Sequence, residues 1–499
     1  MFIKTKKILK LFRLSANSPL CIIAIVYILT AKGHLEISDT EYSVRTAIAI
    51  LENGDLLIEA PDHEATANFP ATGIKNKVYS PYGIGLSLIF IPFALAGKAI
   101  SYVSNFDQRH IIDFILSFYN ISFALLGLYF FKRIIIHLGS SEKRAIVMMV
   151  ALGIGTSFWK YTVTDFSEIT QACCMLGVIY NITKRVDKKW LHISFWYALL
   201  FTIKLTYLIY LPLLFIYFII DNRKFKKKII ATNFFIASTY ALPAFIIIAS
   251  LNHYRFNNVF ESGYGDTINF SFEFMKRDWF GYLISTERGI FSFNPLGFIA
   301  IAGIIFVPCE KKAEIYIIGI VVLVWYLTMC FWSSWQGGYC WGNRLLVPII
   351  PFLLIPLTFI PFNNFLSKLL FAATFLVSVS IQIAASFTKI HEIIEIKLRI
   401  QEVTEQSPSS QLYRGIELFF HKFKTSKAEY LASDFGVQST EVINLTKYDT
   451  FHGFNLWFVH LLNHLGFRTL SHWAGMTVLI LTILMCIALF RIQRNNTII

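Results

Sequence analysis

Ser38-Asp39-Thr40-Glu41-Tyr42-Ser43-Val44-Arg45-Thr46-Ala47-Ile48-Ala49-Ile50-Leu51-Glu52-Asn53-Gly54 stands a few residues after an apolar run at 19–31. Val44, Ala47, Ile48 and Leu51 recur at helical spacing, and Gly54 supplies a stop, so the stretch predicts an amphipathic helix lying along a membrane surface. Its first turn puts carboxylates where membrane meets water. The run at 19–31 is short of the ~20 residues that cross a ~30 Å hydrocarbon core, so residues 14–18 or the loop side must lend it length. The basic segment 4–13 before it predicts a cytoplasmic amino terminus, and without a small-residue cleavage site the run reads as an uncleaved first span.

Outward from there the composition agrees. The chain has 499 residues, 55% of them hydrophobic and 15% charged, against an apolar share of roughly 45–50% in soluble domains. Charged residues fall in short runs between long apolar stretches, the pattern of helices that satisfy their own backbone in lipid. An all-α polytopic membrane protein of about 11–13 spans is expected. The net charge of +14 comes from runs such as 4–13, 184–189 and 223–228. These read as loops that set topology, not as a nucleic-acid footprint. Seven cysteines have no disulfide or zinc spacing and read as core filler.

In order, the loop 34–80 is expected outside the cell, followed by spans at 84–103 and 111–131. Here the alternation fails: two complete spans would return the chain to the outside at Lys132 and Arg133, where the charge rule wants the cytoplasm. Either a span is a half-helix or one basic run breaks the rule, and 190–220 reads as one long helix or as two broken near Lys204. Beyond it spans are expected at 229–251, 290–307, 315–331, 345–360 and 366–387. The organisation predicted is a membrane module at 1–388 with external loops at 34–80 and 252–288, an external region at 389–473, and a last span and tail at 474–499.

Four polar clusters mark span ends. In the first, Ser38 with Glu41 also forms a capping box, which leaves Asp39 as the freer acid. The second is Trp159-Lys160-Tyr161 with Asp165 and Glu168, charges that solvation at the interface would also explain. The third mixes aromatics, glycines and cations up to Arg288. The fourth is Trp332-Ser333-Ser334-Trp335-Gln336-Gly337-Gly338-Tyr339-Cys340-Trp341-Gly342-Asn343-Arg344. An aromatic belt explains its tryptophans but not its flexible glycines beside an arginine, a combination suited to a phosphate or a sugar ring. A surface carboxylate that takes a hydroxyl proton, arginines that neutralise a departing phosphate, and aromatics for sugar faces permit glycosyl transfer from a polyprenyl-phosphate sugar.

Asp39, Tyr79-Ser80-Pro81-Tyr82-Gly83-Ile84-Gly85, Thr286-Glu287-Arg288-Gly289-Ile290-Phe291 with Asn294-Pro295, and Trp335-Gln336-Gly337-Gly338 with Trp341-Gly342-Asn343-Arg344-Leu345-Leu346 resemble bacterial glycosyltransferases of the GT-C fold. The nearest subgroup is the protein mannosyltransferase and aminoarabinose transferase group. The resemblance spans roughly residues 22–361 in several weak motifs. It implies a bacterial inner-membrane enzyme with a polyprenyl-phosphate sugar donor, a glycan, lipid or protein acceptor, membrane lipids around it, and an inverting displacement. Asp39 maps to the general base; the family often has two adjacent acids, whereas here Glu41 follows Asp39 at one remove and would support it or cap the helix. Arg344, then Arg288, would bind the phosphate, and Tyr82, Asp165, Glu168, Trp335, Trp341 and Asn343 are pocket candidates. Region 389–473 would shape the acceptor site. No dense carboxylate site is visible, so no cofactor or metal is expected, although metal dependence varies within the fold. A transporter or lipid flippase is the main alternative, and a non-catalytic membrane subunit a third. Repeated halves and charges at mid-bilayer would mark the transporter; this sequence has no repeat and places its charges at span ends.

Overall fold

The computed structural model describes residues 19–58, 71–73, 77–184, 188–261, 263, 270–394, 410–421 and 454–496; the basic segment 4–13 and most of 389–473 lie outside them. The described chain is a helical bundle. Helix α1 (Pro19–Thr30) leads to the amphipathic α2 (Ser38–Asn53), then α3 (Ile84–Ser104), α4 (Gln108–Leu116) and α5 (Tyr119–His137). A two-stranded antiparallel ribbon, β1 (Ala71–Thr72) with β2 (Val78–Tyr79), lies between α2 and α3. Next come α6 (Glu142–Gly155), α7 (Ser157–Thr162), α8 (Glu168–Thr183) and α9 (Lys189–Ile203). Then follow α10 (Leu211–Asn222), α11 (Lys227–Phe256), α12 (Leu296–Ala302), α13 (Lys312–Cys330), α14 (Ile350–Leu354) and α15 (Phe365–Phe387). The last are α16 (Gln411–His421), α17 (Trp457–His464) and α18 (Arg468–Asn496).

Among the described residues, seven helical segments are long and apolar enough to cross a membrane, and three shorter apolar ones, Pro19–Thr30, Leu296–Phe306 and Arg344–Phe359, join them. The chain is thus an all-α, multi-pass membrane protein. Helices α6 and α8 are apolar nearly all round because protein surrounds them: α8 is buried from Glu168 to Asn181. By contrast α11 buries only Ile248, Asn252 and Arg255, which leaves its long apolar surface for lipid. Tyr27 of α1 donates its hydroxyl to the Gly153 carbonyl of α6 at 2.6 Å.

The failed alternation has a geometric answer. Segment 38–118 leaves one face of the bundle and comes back to it, both ends meeting at Asp165. Its carboxylate accepts the backbone N–H groups of Glu36 at 3.2 Å and Ile37 at 3.1 Å. Thr40 donates to the Asp165 carbonyl at 2.7 Å, and Tyr119, the first residue of α5, donates to the Phe166 carbonyl at 3.1 Å. So α3, expected as a full span, has the length and composition of one but does not move the chain to the other side. The expected span 111–131 is two helices, α4 within the excursion and α5 crossing. Helix α5 then carries Lys132 and Arg133 to the far face. There Lys311 donates to the His137 carbonyl at 3.5 Å, Arg144 donates to the Ile360 carbonyl, and Lys189 pairs with Asp221 at 2.5 Å. The basic turns share one side as the charge rule requires. The stretch 190–220 is broken at Lys204, extended at φ −144° and ψ 112°, between α9 and a 3-10 turn at Leu205–Tyr210.

A second correction concerns the capping box. Helix α2 has Ile37 at its N-cap and Ser38 as its first helical residue, so Glu41 is not the box partner. Its carboxylate takes Arg45 at 2.6 Å and pairs with Arg109 of α4. Burial works to raise the Glu41 pKa, but the hydrogen bonds from Arg109 and Arg45 hold it below the usual carboxylate range.

This topology makes a labelling prediction. On intact cells a membrane-impermeant maleimide should react with His110→Cys and Ser334→Cys. The exposed native Cys309, beside Lys311 on the basic face, should react only after permeabilisation. Labelling of positions 110 and 334 from opposite sides would contradict the returning excursion.

Candidate active site

The face opposite the basic turns gathers 31–38, 156–167, Lys204, 332–343 and the start of 411–421. Asp39, in the first turn of α2, is held from two directions. Tyr82 donates its hydroxyl to Oδ1 at 2.7 Å, and Arg344 places Nη2 2.9 Å from Oδ2. Tyr82 arrives there because Arg255 of α11 donates to the Ser80 carbonyl at 2.7 Å, fixing the turn before α3. Gly83 and Gly85 bring that turn against the end of α9, where a Cβ would fall within 2.5 Å of Thr202 and Ile203 atoms.

Arg344 lies between two carboxylates. Its Nε faces Glu168 Oε1 at 4.0 Å, an ion pair too long for a hydrogen bond, and its guanidinium lies 4.7 Å from the Phe166 ring centroid. The Arg344 side chain is 17% exposed, that of Glu168 6% and that of Asp39 31%. Asp39 is therefore the member of the trio most open to a ligand. Among the described residues, Arg344 Nε, Glu168 Oε2 and both amide atoms of Asn343 are buried without hydrogen-bond partners. Buried polar atoms without partners are costly, and here they belong to Arg344, its sequence neighbour Asn343 and its ion-pair partner Glu168. Lys204 closes the group electrostatically, its charge felt by Glu168, Asp39 and Arg344, with Nζ 4.7 Å from the Trp332 ring centroid. Among the described residues, no group of three or more His, Cys, Asp or Glu side chains is placed to hold a metal ion.

Of the residues singled out in the sequence, Asp39, Tyr82, Glu168, Asn343 and Arg344 come together. Others take different roles. Asp165 anchors backbone: burial first, and then the charge of Glu36, pushes its pKa up to about 7. Glu36 goes the other way. Burial opposes its ionisation, yet the His34 hydrogen bond and the charges of His34, Lys160 and Lys32 hold it well below the usual range. Arg288 grips loop backbone, donating to the Cys340 carbonyl at 2.7 Å, Gly342 at 3.0 Å and Gly338 at 3.2 Å. Trp341 is core, edge-on to Phe293 at 5.0 Å, and Trp335 packs edge-on to Tyr282 at 5.4 Å. Missed in the sequence were Lys204 and Phe166; a lone lysine within an apolar stretch was the available signal.

No family model and no curated protein matches the chain. Among solved structures it is similar to ArnT from Cupriavidus metallidurans bound to undecaprenyl phosphate. The identity is 11% and the TM-score 0.47, over 95% of this chain and 76% of that one. The apo form of the same protein is similar at 12% identity and a TM-score of 0.40, over 94% and 75%.

The buried trio has a measurable signature. Arg344→Ala removes the cation between two carboxylates and should destabilise the protein by about 3–5 kcal/mol, read as a lowered unfolding midpoint in detergent. Adding Glu168→Gln, which removes the stranded charge, should restore part of that loss. A double variant no more stable than Arg344→Ala alone would refute the link between the two residues.

Proposed function

We propose that this chain is an inverting membrane glycosyltransferase that moves a sugar from a polyprenyl-phosphate donor to a glycan, lipid or protein acceptor at the external, periplasmic face of a bacterial inner membrane. One observation carries the reading: an open carboxylate, Asp39, stands 2.9 Å from a largely buried guanidinium, Arg344, on the face away from the basic turns. An acid to take a proton and a cation to take a phosphate are the two groups that this transfer needs. The sequence resemblance to GT-C enzymes supports the same assignment.

In the proposed reaction Asp39 removes the proton from the acceptor hydroxyl. The oxygen attacks the anomeric carbon, and the bond from that carbon to the phosphate oxygen breaks with inversion. The electron pair leaves with the polyprenyl phosphate, whose charge Arg344 receives. A planar fork suits this task because it can offer two parallel N–H groups to phosphate oxygens. Tyr82 and Arg344 hold the carboxylate aimed before substrate arrives. Lys204 adds positive charge behind them. Charges set at one face, away from mid-bilayer, favour an enzyme over a transporter.

Purified protein should release polyprenyl phosphate and glycosylate an acceptor when given a labelled polyprenyl-phosphate sugar. Asp39→Asn should lower kcat by roughly 10²- to 10⁴-fold with the unfolding midpoint preserved; full activity would remove Asp39 as the base. Arg344→Lys keeps the charge but loses the fork, and should raise the apparent KM for the donor roughly tenfold or more. An unchanged donor KM would remove Arg344 from phosphate binding.

A further inference from the structure

Arg344 is delivered by a loop that regular structure does not hold. Residues 332–343 contain three glycines in the left-handed region, Gly337 at φ 69°, Gly338 at 74° and Gly342 at 58°, and such a segment is free to move unless other groups fix it. Tyr282 donates to the Trp335 carbonyl at 3.0 Å and Tyr161 to the Trp341 carbonyl at 2.7 Å, and two further side chains hold the turn at 338–342. One is Arg288, described above. The other is Gln411, the first residue of α16, which comes from the far end of the sequence. Its Oε1 accepts the N–H of Gly342 at 2.8 Å, and its Nε2 donates to the Cys340 carbonyl at 2.7 Å.

Gln411 is itself well seated. Its own N–H donates to Glu287 Oε1 at 3.0 Å, and Leu412 donates to the Thr286 carbonyl at 3.1 Å. Gly415, one turn on, lets the Trp341 ring press against the helix, where a Cβ would stand only 2.3 Å from the ring. The first turn of α16 therefore lies on the backbone two residues before Arg344.

We infer that Gln411 is a positioning residue for Arg344, and that the carboxy-terminal region thereby forms part of the donor-phosphate site and not only of an acceptor site. The chemistry explains the residue type: a carboxamide donates and accepts at once, as the Cys340 carbonyl and the Gly342 N–H together require. A carboxylate there could accept from Gly342 but would repel the carbonyl. The inference rests on the proposed function for what Arg344 holds; the clamp itself stands on geometry alone.

The test has two arms on the full-length protein, with polyprenyl phosphate as the probe. In Gln411→Glu, peptides covering 340–346 should exchange backbone hydrogen faster than in the unmodified protein. The Kd for polyprenyl phosphate should rise roughly 10- to 100-fold. Adding Arg344→Lys to Gln411→Glu should weaken binding little beyond either change alone, because both act through one guanidinium. Unchanged exchange overturns the clamp, and fold-losses that multiply overturn the route through Arg344. If the unmodified protein does not bind polyprenyl phosphate, the proposed function fails, which the exchange arm reads separately. Should Gln411→Glu not fold, Gln411→Ala serves in the same two measurements with the same expectations.

Discussion

One buried carboxylate holds the architecture together. Asp165 accepts two consecutive backbone N–H groups at the start of α2, while its own carbonyl takes the hydroxyl of Thr40. Buried N–H groups need partners, and these two sit where the chain stops being a membrane helix and turns to run along the surface. Both limbs of the excursion, at Ile37 and at Tyr119, are tied to this one turn between α7 and α8. The direction of α2, and with it the position of Asp39, follows from that anchorage.

Around Asp39 the balance of charge differs from that of a structural ion pair. A buried pair repays its desolvation only with close geometry and satisfied hydrogen bonds. Arg344 meets Asp39 closely, but Glu168 stands 4.0 Å away and keeps an oxygen without a partner. Asn343 is left unsatisfied at both amide atoms. Polar groups left short in this way beside an accessible acid set this cluster apart from the hydrogen-bonded pairs that hold the fold, and make it the candidate site.

Much of this was legible in the sequence, and the gaps have physical causes. The amphipathic helix and the grouping of Asp39 with Arg344 and Tyr82 follow from periodicity and from the motifs around those residues, while the break at Lys204 is one of two readings that the charge in an apolar stretch leaves open. The status of α3 did not, because an apolar helix of spanning length satisfies every local test for a span. Only the tertiary contacts at Asp165 show that the chain returns. Arg288 and Trp341 look as functional in sequence as Arg344 and Asn343. Which arginine faces the acid and which grips the loop is set by the turn at Gly342, two residues before the second of them. Gln411 carries no local signal at all, since its partners lie about 70 residues away.

The short helices give the site a depth. Helix α6 has 14 residues and α8 has 16, which at 1.5 Å per residue rise about 21 and 24 Å, less than a hydrocarbon core of ~30 Å. The lipid-facing α11, with 30 residues, reaches about 45 Å. Glu168 stands at the head of α8, so the floor of the site is recessed below the level at which the outer helices emerge. Under the proposed function, a lipid phosphate bound at Arg344 would sit below the headgroup layer with its hydrocarbon tail still in the bilayer, whereas a water-borne sugar phosphate would have no such tether to hold it there. Recess depth would, under the proposed function, sort lipid-linked from soluble donors before any hydrogen bond to the sugar is made.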